Sequence, residues 1–224
     1  MKKKIFFNLF SCGLPLTVKP LKDLTLFKKL FLSIIIKLYL VHLKIIELIG
    51  FFFSSTSIKE YNQIVFDDEI KETFDKNLKR KECFFYKDKN FFNWRYKNYE
   101  NFFLLKIFSN KYFLGYITLV GSEAMDLKNL IIMDFQFVKE LTFLQKLKLK
   151  LKILEISKKF KFDTIFTFGN QNSFMFKNIL GYPFLHLPDK ILPHSNPMFI
   201  HNTDSLDEEF LIKMNFTISD FDYF

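Results

Sequence analysis

Residues 166–184 read FTFGNQNSFMFKNILGYPF, and this stretch decides how the rest of the chain is interpreted. Its apolar, β-rich start turns polar at Asn170. A short helix is predicted over Ser173–Leu180, and Gly181 is expected to close it as the C-cap, because glycine tolerates the left-handed backbone found there. Tyr182 then begins the next predicted strand. The unit is therefore strand, asparagine, short helix, glycine and aromatic residue.

The segments before this stretch alternate between strand and helix patterns. Residues 140–160 contain an alternating KLKLKLK run, but leucines at 144, 147, 151 and 154 form a helical stripe longer than a strand sustains. This order of elements predicts a mixed α/β sandwich. The predicted elements are a strand at 102–108, a turn at Asn110 and Lys111, strands at 112–120 and 129–137, a helix at 140–160, and strands at 162–168 and 182–187.

The N-terminal region predicts a strand at Ile5–Phe10 and a broad-faced amphipathic helix at 24–53. The apolar run Ile5–Phe10 is shorter than a secretory signal requires. Lysines interrupt the helix, which leaves no apolar run of the roughly 18 residues that a membrane span needs. Packing on the rest of the chain or on a missing neighbour is the leading interpretation. Attachment to a membrane surface through a basic helix is the alternative.

The composition and the pattern of polar and apolar residues predict that the chain has three parts and that the protein is cytoplasmic. We expect a strand and helix at 1–55, a polar connector at 56–82, and an α/β domain at 83–224. The net charge is +9 and the pI is about 9.3, which suits an anionic partner. Nucleic acid is not expected, because the sequence has no zinc-ligand spacing, helix-turn-helix signal or aromatic RNA-binding signature. A position at the periphery of the inner membrane is the alternative location.

Metal and disulfide chemistry are not expected. Cys12 and Cys83 are isolated in the sequence, which favours a reducing compartment. The histidines at 186, 194 and 201 lie eight and seven residues apart and match no metal-binding template. Asp220 and Asp222 are interpreted as part of an exposed terminus.

The unit at 166–184 resembles the second half of the GNAT N-acyltransferase superfamily, with Asn170, Ser173, Gly181 and Tyr182 at matching places. NFFNWRY at 90–96, the YFLGYI and IIMDF strands and the terminal FTISDFDYF are similar to the C-terminal half of bacterial two-domain, FemAB-like acyltransferases. The resemblance implies a mixed, mostly antiparallel sheet flanked by helices, with an N-terminal helical extension. It also implies transfer of an acyl group from acyl-CoA, such as acetyl-CoA, to a small-molecule amine, for example an amino sugar of a cell-surface polysaccharide.

The resemblance also suggests site residues. The pyrophosphate of acyl-CoA would lie on backbone amides before the helix at 140–160, but the turn FQFVKELTF there contains no glycine. A tyrosine that often donates a proton is replaced by Lys177. The candidates are Gln136, Lys139, Asn170 and Ser173 for cofactor binding, Tyr182, Asp134 and Lys177 for catalysis, and Trp94, Arg95 and Tyr96 for substrate binding, with no metal.

A second function remains open on these grounds. Without the glycine loop and the tyrosine, the chain is also interpreted as a catalytically inactive binding or scaffold half of a two-domain acyltransferase. In that case, a partner domain or chain is expected to dock on the helix at 24–53.

Overall fold

The structure, a computed structural model, describes residues 4–8, 10–16, 25–53, 55–79, 84–124, 126–170, 173–186, 197–201 and 217–220. The described helices and strands follow in chain order. They are β1 Lys4–Asn8, β2 Phe10–Pro15, α1 Leu26–Phe53, β3 Thr56–Tyr61, α2 Asp68–Lys79, α3 Lys89–Tyr96, β4 Phe102–Ser109, β5 Tyr112–Ala124, β6 Leu127–Phe137, α4 Phe143–Lys159, β7 Thr164–Gly169, α5 Phe174–Lys177, β8 Leu185–His186, β9 Pro197–His201 and a 3-10 turn at Ile218–Asp220.

Seven of the described strands form one twisted sheet in the order β3-β4-β5-β6-β7-β2-β8. All neighbouring pairs are antiparallel except β6 and β7. Strands β1 and β9 pair separately as a two-stranded antiparallel sheet. The predicted class, a mixed α/β fold with a mostly antiparallel sheet flanked by helices and an N-terminal helix, is confirmed.

Helices cover both faces of the sheet and divide the core in two. One apolar cluster lies under α1, α4 and α5 and includes Leu43, Leu149 and Phe176. The other lies under α2 and α3 and includes Phe74 and Phe92. Because successive strand residues point to opposite faces, each central strand contributes to both clusters. The name α4 face is used below for the first side of the sheet, and α2 face for the second.

Local sequence signals explain several of these elements. Asn110 and Lys111 both adopt positive φ angles, 48° and 72°, as a tight turn between β4 and β5 requires. Helix α4 starts with a capping box. The Thr142 side chain accepts a hydrogen bond from the Gln145 backbone N–H, and the Gln145 side chain accepts one from the Thr142 backbone N–H. The predicted hairpin and long helix therefore follow from short-range chemistry.

Three local expectations were wrong. The region 56–82, expected to be a polar connector, contains β3 and α2. Helix α5 ends at Lys177, and Asn178 is its C-cap. Gly181 has a φ of 81° but lies in the turn that follows, and the strand expected at 182–187 is limited to β8.

The sheet includes strands from the N-terminal parts of the chain. Strand β2 lies between β7 and β8, and β3 forms the opposite edge. The division at residues 55 and 83 stays a prediction. Among the described helices, none combines the length and the apolar character that crossing a bilayer requires.

We predict that Gly115→Ala destabilises the fold strongly, whereas Gly181→Ala is tolerated. Both glycines have positive φ, but a Cβ at Gly115 would lie 2.2 Å from the backbone oxygen of Gln136, and one at Gly181 would meet nothing within 4 Å. We expect a loss of about 3 kcal/mol or more for the first and about 1 kcal/mol for the second in urea unfolding. Equal losses of unfolding free energy in the two variants would contradict the close approach of β5 and β6 at Gly115.

Candidate functional site

A β-bulge in the central strand β6 determines where Asp134 lies. Thr118 pairs with Asp134 and the next residue of β5, Leu119, pairs with Ile132, so Met133 is the extra residue. In regular alternation Asp134 would share the α4 face with Ile132. The bulge instead leaves both Met133 and Asp134 on the α2 face, as bulges commonly re-aim side chains.

Asp134 is held there by a buried cluster of charged and polar groups. Lys87 Nζ lies 2.8 Å from Asp134 Oδ1, 2.8 Å from Asp220 Oδ1 and 2.9 Å from Thr217 Oγ1. The Tyr116 hydroxyl donates to Asp134 Oδ2 at 2.8 Å. The cluster therefore joins the loop before α3, two central strands and the 3-10 turn near the C-terminus. It is called the Lys87 cluster below.

Burial and the charges inside the Lys87 cluster both shift the pKa values of its members. The side chains of Lys87 and Asp134 are 1% and 0% exposed, and that of Asp220 is 3% exposed. The pKa of Lys87 is raised because Asp134 and Asp220 outweigh the opposing effect of burial. Burial raises the pKa of Asp220, although Lys87 opposes this. Burial and the Asp134 charge hold the pKa of Tyr116 well above its usual range.

The geometry of the Lys87 cluster is suited to holding the fold together. An ammonium group has three N–H donors. Three protein acceptors lie within 2.9 Å of Lys87 Nζ, namely Asp134 Oδ1, Asp220 Oδ1 and Thr217 Oγ1. Asp134, expected as a general base at the end of its strand, lies inside β6 and accepts hydrogen bonds from three protein groups. Lys87 thus supplies the positive charge that pairs with both buried carboxyl groups of the cluster.

A second feature lies where β6 and β7 part. Their parallel pairing covers only Asn129 with Thr164, Leu130 with Ile165, and Ile131 with Phe166, although both strands continue. Beyond this point the two strands no longer share backbone hydrogen bonds. This opening is called the β6–β7 gap below. It lies between the strand that precedes the expected pyrophosphate-binding turn and the strand that precedes Asn170.

Side chains of this chain fill the β6–β7 gap. Thr167 Oγ1 donates to the Ile132 carbonyl at 2.9 Å, and the Phe137 N–H points to the Met175 sulfur at 3.3 Å. Met175 belongs to the cluster on the α4 face, yet Asn77 of helix α2, on the other face, lies 3.9 Å from its sulfur. Met175 therefore links the end of β6 to α2 beside the gap.

The entrance to the gap is closed in the same way. Asn77 Nδ2 donates to Gln136 Oε1 at 3.2 Å and to the Phe137 carbonyl at 3.1 Å. The Asn178 side chain accepts from the Leu141 N–H at 2.8 Å. A Cβ on Gly169 would lie 2.6 Å from the Phe176 ring, so α5 packs directly against the end of β7. Backbone groups that a cofactor would use are already bonded within the chain.

The expected cofactor-binding residues lie around this gap with different exposure. Gln136 is buried and bonded to Asn77, whereas Lys139 is exposed. Asn170 is buried, and Ser173 caps α5 by accepting from the Met175 N–H. The amides at the start of α4 are occupied in part by its capping box. Of these four residues, Asn170 and Ser173 are in direct contact, since the Ser173 N–H donates to the Asn170 carbonyl at 3.0 Å.

The expected catalytic residues do not converge. Lys177 is exposed on the surface of α5. Tyr182 packs its ring edge-on against Tyr39 of α1 at 5.9 Å, and burial raises its pKa. Among the described residues, no group forms a hydrogen bond with the Tyr182 hydroxyl. Tyr182 belongs to the α4 face and Asp134 to the α2 face.

The expected substrate-binding residues lie on helix α3, which the sequence did not define as a helix. Trp94 is 63% exposed, and the Arg95 guanidinium lies 5.9 Å from its ring centroid. Tyr96 points inward, and its hydroxyl accepts from Thr118 Oγ1 at 3.0 Å. Tyr96 therefore lies in the surroundings of the Lys87 cluster, close enough to Tyr116 to affect its pKa.

Sequence reasoning missed most of the Lys87 cluster. Asp220 was expected on an exposed terminus and is buried instead, because it pairs with Lys87. Lys87, Tyr116 and Thr217 were not singled out. The available signal was the apolar pattern of FTISDFDYF near the C-terminus, which indicates burial rather than exposure. Asp222, Cys83 and His194 lie outside the described residues.

A further candidate site is a small pocket. A pocket of about 350 Å³ opens beside the end of α3, lined by residues that include Tyr99, Asn101, Ser122 and Lys128. Within the described part of the chain, no group of three or more His, Cys, Asp or Glu side chains could hold a metal ion.

Comparison with known proteins gives a distant structural likeness. No protein family and no curated protein matches the sequence. A matching structure is the C-terminal domain (DUF2156) of an Agrobacterium fabrum chain assigned as lysylphosphatidylglycerol synthetase, with 10% identity, a TM-score of 0.44 and coverage of 74% of this chain and 47% of that one. Another is L-PGS of Bacillus licheniformis, with 11% identity, a TM-score of 0.42 and coverage of 72% and 45%.

This chain spans less than half of either matching structure. A likeness at these values carries no argument about function. The comparisons also give no support to the expected FemAB-like chemistry, acetyl-CoA dependence or polysaccharide acceptor. Function therefore has to be argued from the site itself.

We predict that Lys87→Met destabilises the protein by about 3 to 5 kcal/mol, because it leaves two buried carboxyl groups without their cation. Adding Asp220→Asn to this variant should recover part of the loss, since one buried charge is then removed. Urea unfolding of the two variants and the wild type measures both effects. No recovery in the double variant would contradict an energetic coupling between Lys87 and Asp220.

We also predict a loss of stability in alkaline solution. The folded-state pKa of Lys87 is raised above 10.5, so its contribution is complete below pH 10.5 and is lost as the pH rises through the folded value. Tyr116, whose pKa is raised well above 10.0, also favours the protonated folded state. Urea midpoints measured between about pH 9 and 11.5 should fall, and fall less steeply in Lys87→Met. If the urea midpoint fell equally steeply with pH in the wild type and in Lys87→Met, this contribution of Lys87 would be contradicted.

Proposed function

We propose that this chain is an acyltransferase-like domain that does not bind acyl-CoA in the β6–β7 gap and serves as the docking half of a larger acyl-transfer assembly. The observation that carries the proposal is the filled gap. The Met175 sulfur lies against Phe137 of β6 and Asn77 of α2, and the backbone groups of Ile132, Phe137 and Leu141 bond to side chains of the chain itself.

The acyl-transfer part of the proposal is supported by the sequence pattern. Asn170, Ser173, Gly181 and Tyr182 keep the spacing that resembles the GNAT superfamily. The order of β6, α4, β7 and α5 and the short parallel pairing are compatible with that resemblance. The pattern supports a related architecture, while the side chains inside it favour a role without the usual cofactor.

The absence of turnover by this chain is supported by the arrangement of its candidate groups. Lys177 is exposed, and partial burial raises the pKa of Tyr182, which makes its hydroxyl a weaker proton donor. Asp134 is committed to Lys87 and Tyr116. A general base and a general acid need to reach the same reacting group. These three side chains are distributed over two faces of the sheet and its surface.

Isothermal titration calorimetry tests this proposal. We expect acetyl-CoA and a longer acyl-CoA to give no saturable heat beyond that of ADP, which carries a similar phosphate charge. The ADP control is needed because a chain of net charge +9 attracts anions at low salt without a specific site. The titration is therefore repeated at higher salt.

A saturable heat for acyl-CoA with one site per chain, unaffected by ADP, would contradict the proposal. If acyl-CoA binds, the variant Met175→Trp tests whether it binds in the β6–β7 gap. This substitution adds bulk inside the gap, so a loss of binding would locate the cofactor between β6 and β7. Circular dichroism of the variant confirms that it folds before the comparison is made.

A further inference from the structure

Helix α1 exposes one long apolar face. Its packed side contributes Tyr39, Leu40, Leu43 and Ile46 to the core on the α4 face. The opposite side carries large apolar side chains that are all at least 49% exposed. These are Phe27, Phe31, Ile34, Leu38, Val41, Ile45 and Leu48, and they are called the α1 seam below.

The α1 seam follows a coiled-coil repeat. Its members are spaced by four, three, four, three, four and three residues without interruption. This 4-3 spacing averages 3.5 residues and is the pattern by which one helix packs against another. Solvent-exposed helix surfaces are usually polar, and a row of exposed apolar residues of this kind marks an interaction site.

The positions that flank the α1 seam are apolar or basic. In the heptad frame, Lys28 and His42 lie on one side of the seam, and Lys37 and Lys44 lie on the other. All four side chains are exposed. The single acidic residue of α1, Glu47, falls outside these flanking positions. Flanking charges set the choice of partner in such pairs, so a complementary partner carries acidic residues there.

We propose that the α1 seam binds a partner helix that has an apolar heptad stripe flanked by acidic residues. This inference rests on the proposed function, since it names the chemistry of the partner that a docking half would require. The partner helix would pack its apolar stripe between the side chains of Phe27 and Leu48 and place its carboxylates beside Lys37 and Lys44.

Two other occupants fit the observations less well. A second copy of this chain would bring only basic and neutral flanking residues, so its α1 supplies no carboxylate for Lys37 and Lys44. An anionic lipid surface would match the lysines, but it does not require an unbroken 3.5-residue repeat. The regular spacing therefore favours a helix, and the charge favours one that differs from α1.

Binding of synthetic helical peptides to the full chain tests the inference. Two four-heptad peptides carry Ile and Leu at the core positions and either Glu or Lys at the flanking positions. We expect the Glu peptide to bind about tenfold more tightly at low salt, because several exposed ion pairs each contribute a factor of about two. Fluorescence anisotropy of the labelled peptides measures the affinities.

Variants of exposed α1 residues provide the matched controls. Lys37→Glu with Lys44→Glu should reverse the preference toward the Lys peptide. Leu38→Glu places a charge in the middle of the α1 seam and should weaken binding of the Glu peptide at least about tenfold. Because Leu38 is 64% exposed, this change leaves the core of the fold intact.

Three results would overturn the inference. The first is equal affinity for the two peptides. The second is a stable dimer of the chain alone in light scattering that Leu38→Glu dissociates. The third is flotation with vesicles of anionic phospholipid, abolished by Leu38→Glu, without binding to the Glu peptide. None of these depends on acyl-CoA, so the inference fails independently of the calorimetry that tests the proposed function.

Discussion

The central strand β6 has to satisfy three demands along its eleven residues, and the rest of the structure follows from how it does so. It pairs with β5 throughout, pairs with β7 over three residues only, and contains a bulge at Met133 between these two patterns. The bulge turns Asp134 to the α2 face. The early end of pairing with β7 leaves backbone groups that need partners in a buried place, where an unbonded polar group is costly.

The chain meets these demands with side chains from distant segments. The charge of Asp134 is balanced by Lys87, which also pairs with Asp220 and so ties the C-terminal turn to the sheet. Such a buried ion pair is expensive to desolvate, so its value lies more in selecting one arrangement than in net stability. Backbone groups of β6 beyond Ile131 are met by Thr167 of β7, Asn77 of α2 and Met175 of α5. Both solutions use side chains of the chain itself.

Elements of this fold could be predicted where the sequence signal acts between residues a few positions apart. The Asn110-Lys111 turn and α4 were predicted because two turn residues and a leucine stripe act within a few positions. Helix α2 was missed because half of its buried face, Thr73 and Asn77, is polar and hides the apolar period. Asn77 is polar for a reason that only the tertiary structure reveals, since it bonds to β6.

The site was less predictable than the fold for the same reason. The pairing of Lys87 with Asp220 joins residues far apart in a lysine-rich sequence, and no local pattern distinguishes Lys87 from the other lysines. The Asn170 to Tyr182 pattern predicted a site around α5, and this stays a prediction. The spacing of its residues could not reveal that Met175 and Phe176, between those positions, are fully buried.

The most direct test of this account is methyl NMR of the Met175 side chain, with methionine labelled and the signal assigned through Met175→Leu. The account predicts a single sharp methyl signal, displaced by the nearby aromatic rings, that does not change when acetyl-CoA is added to saturating concentration. A saturable shift of that signal would contradict the account, because it would show that the β6–β7 gap opens to admit the cofactor.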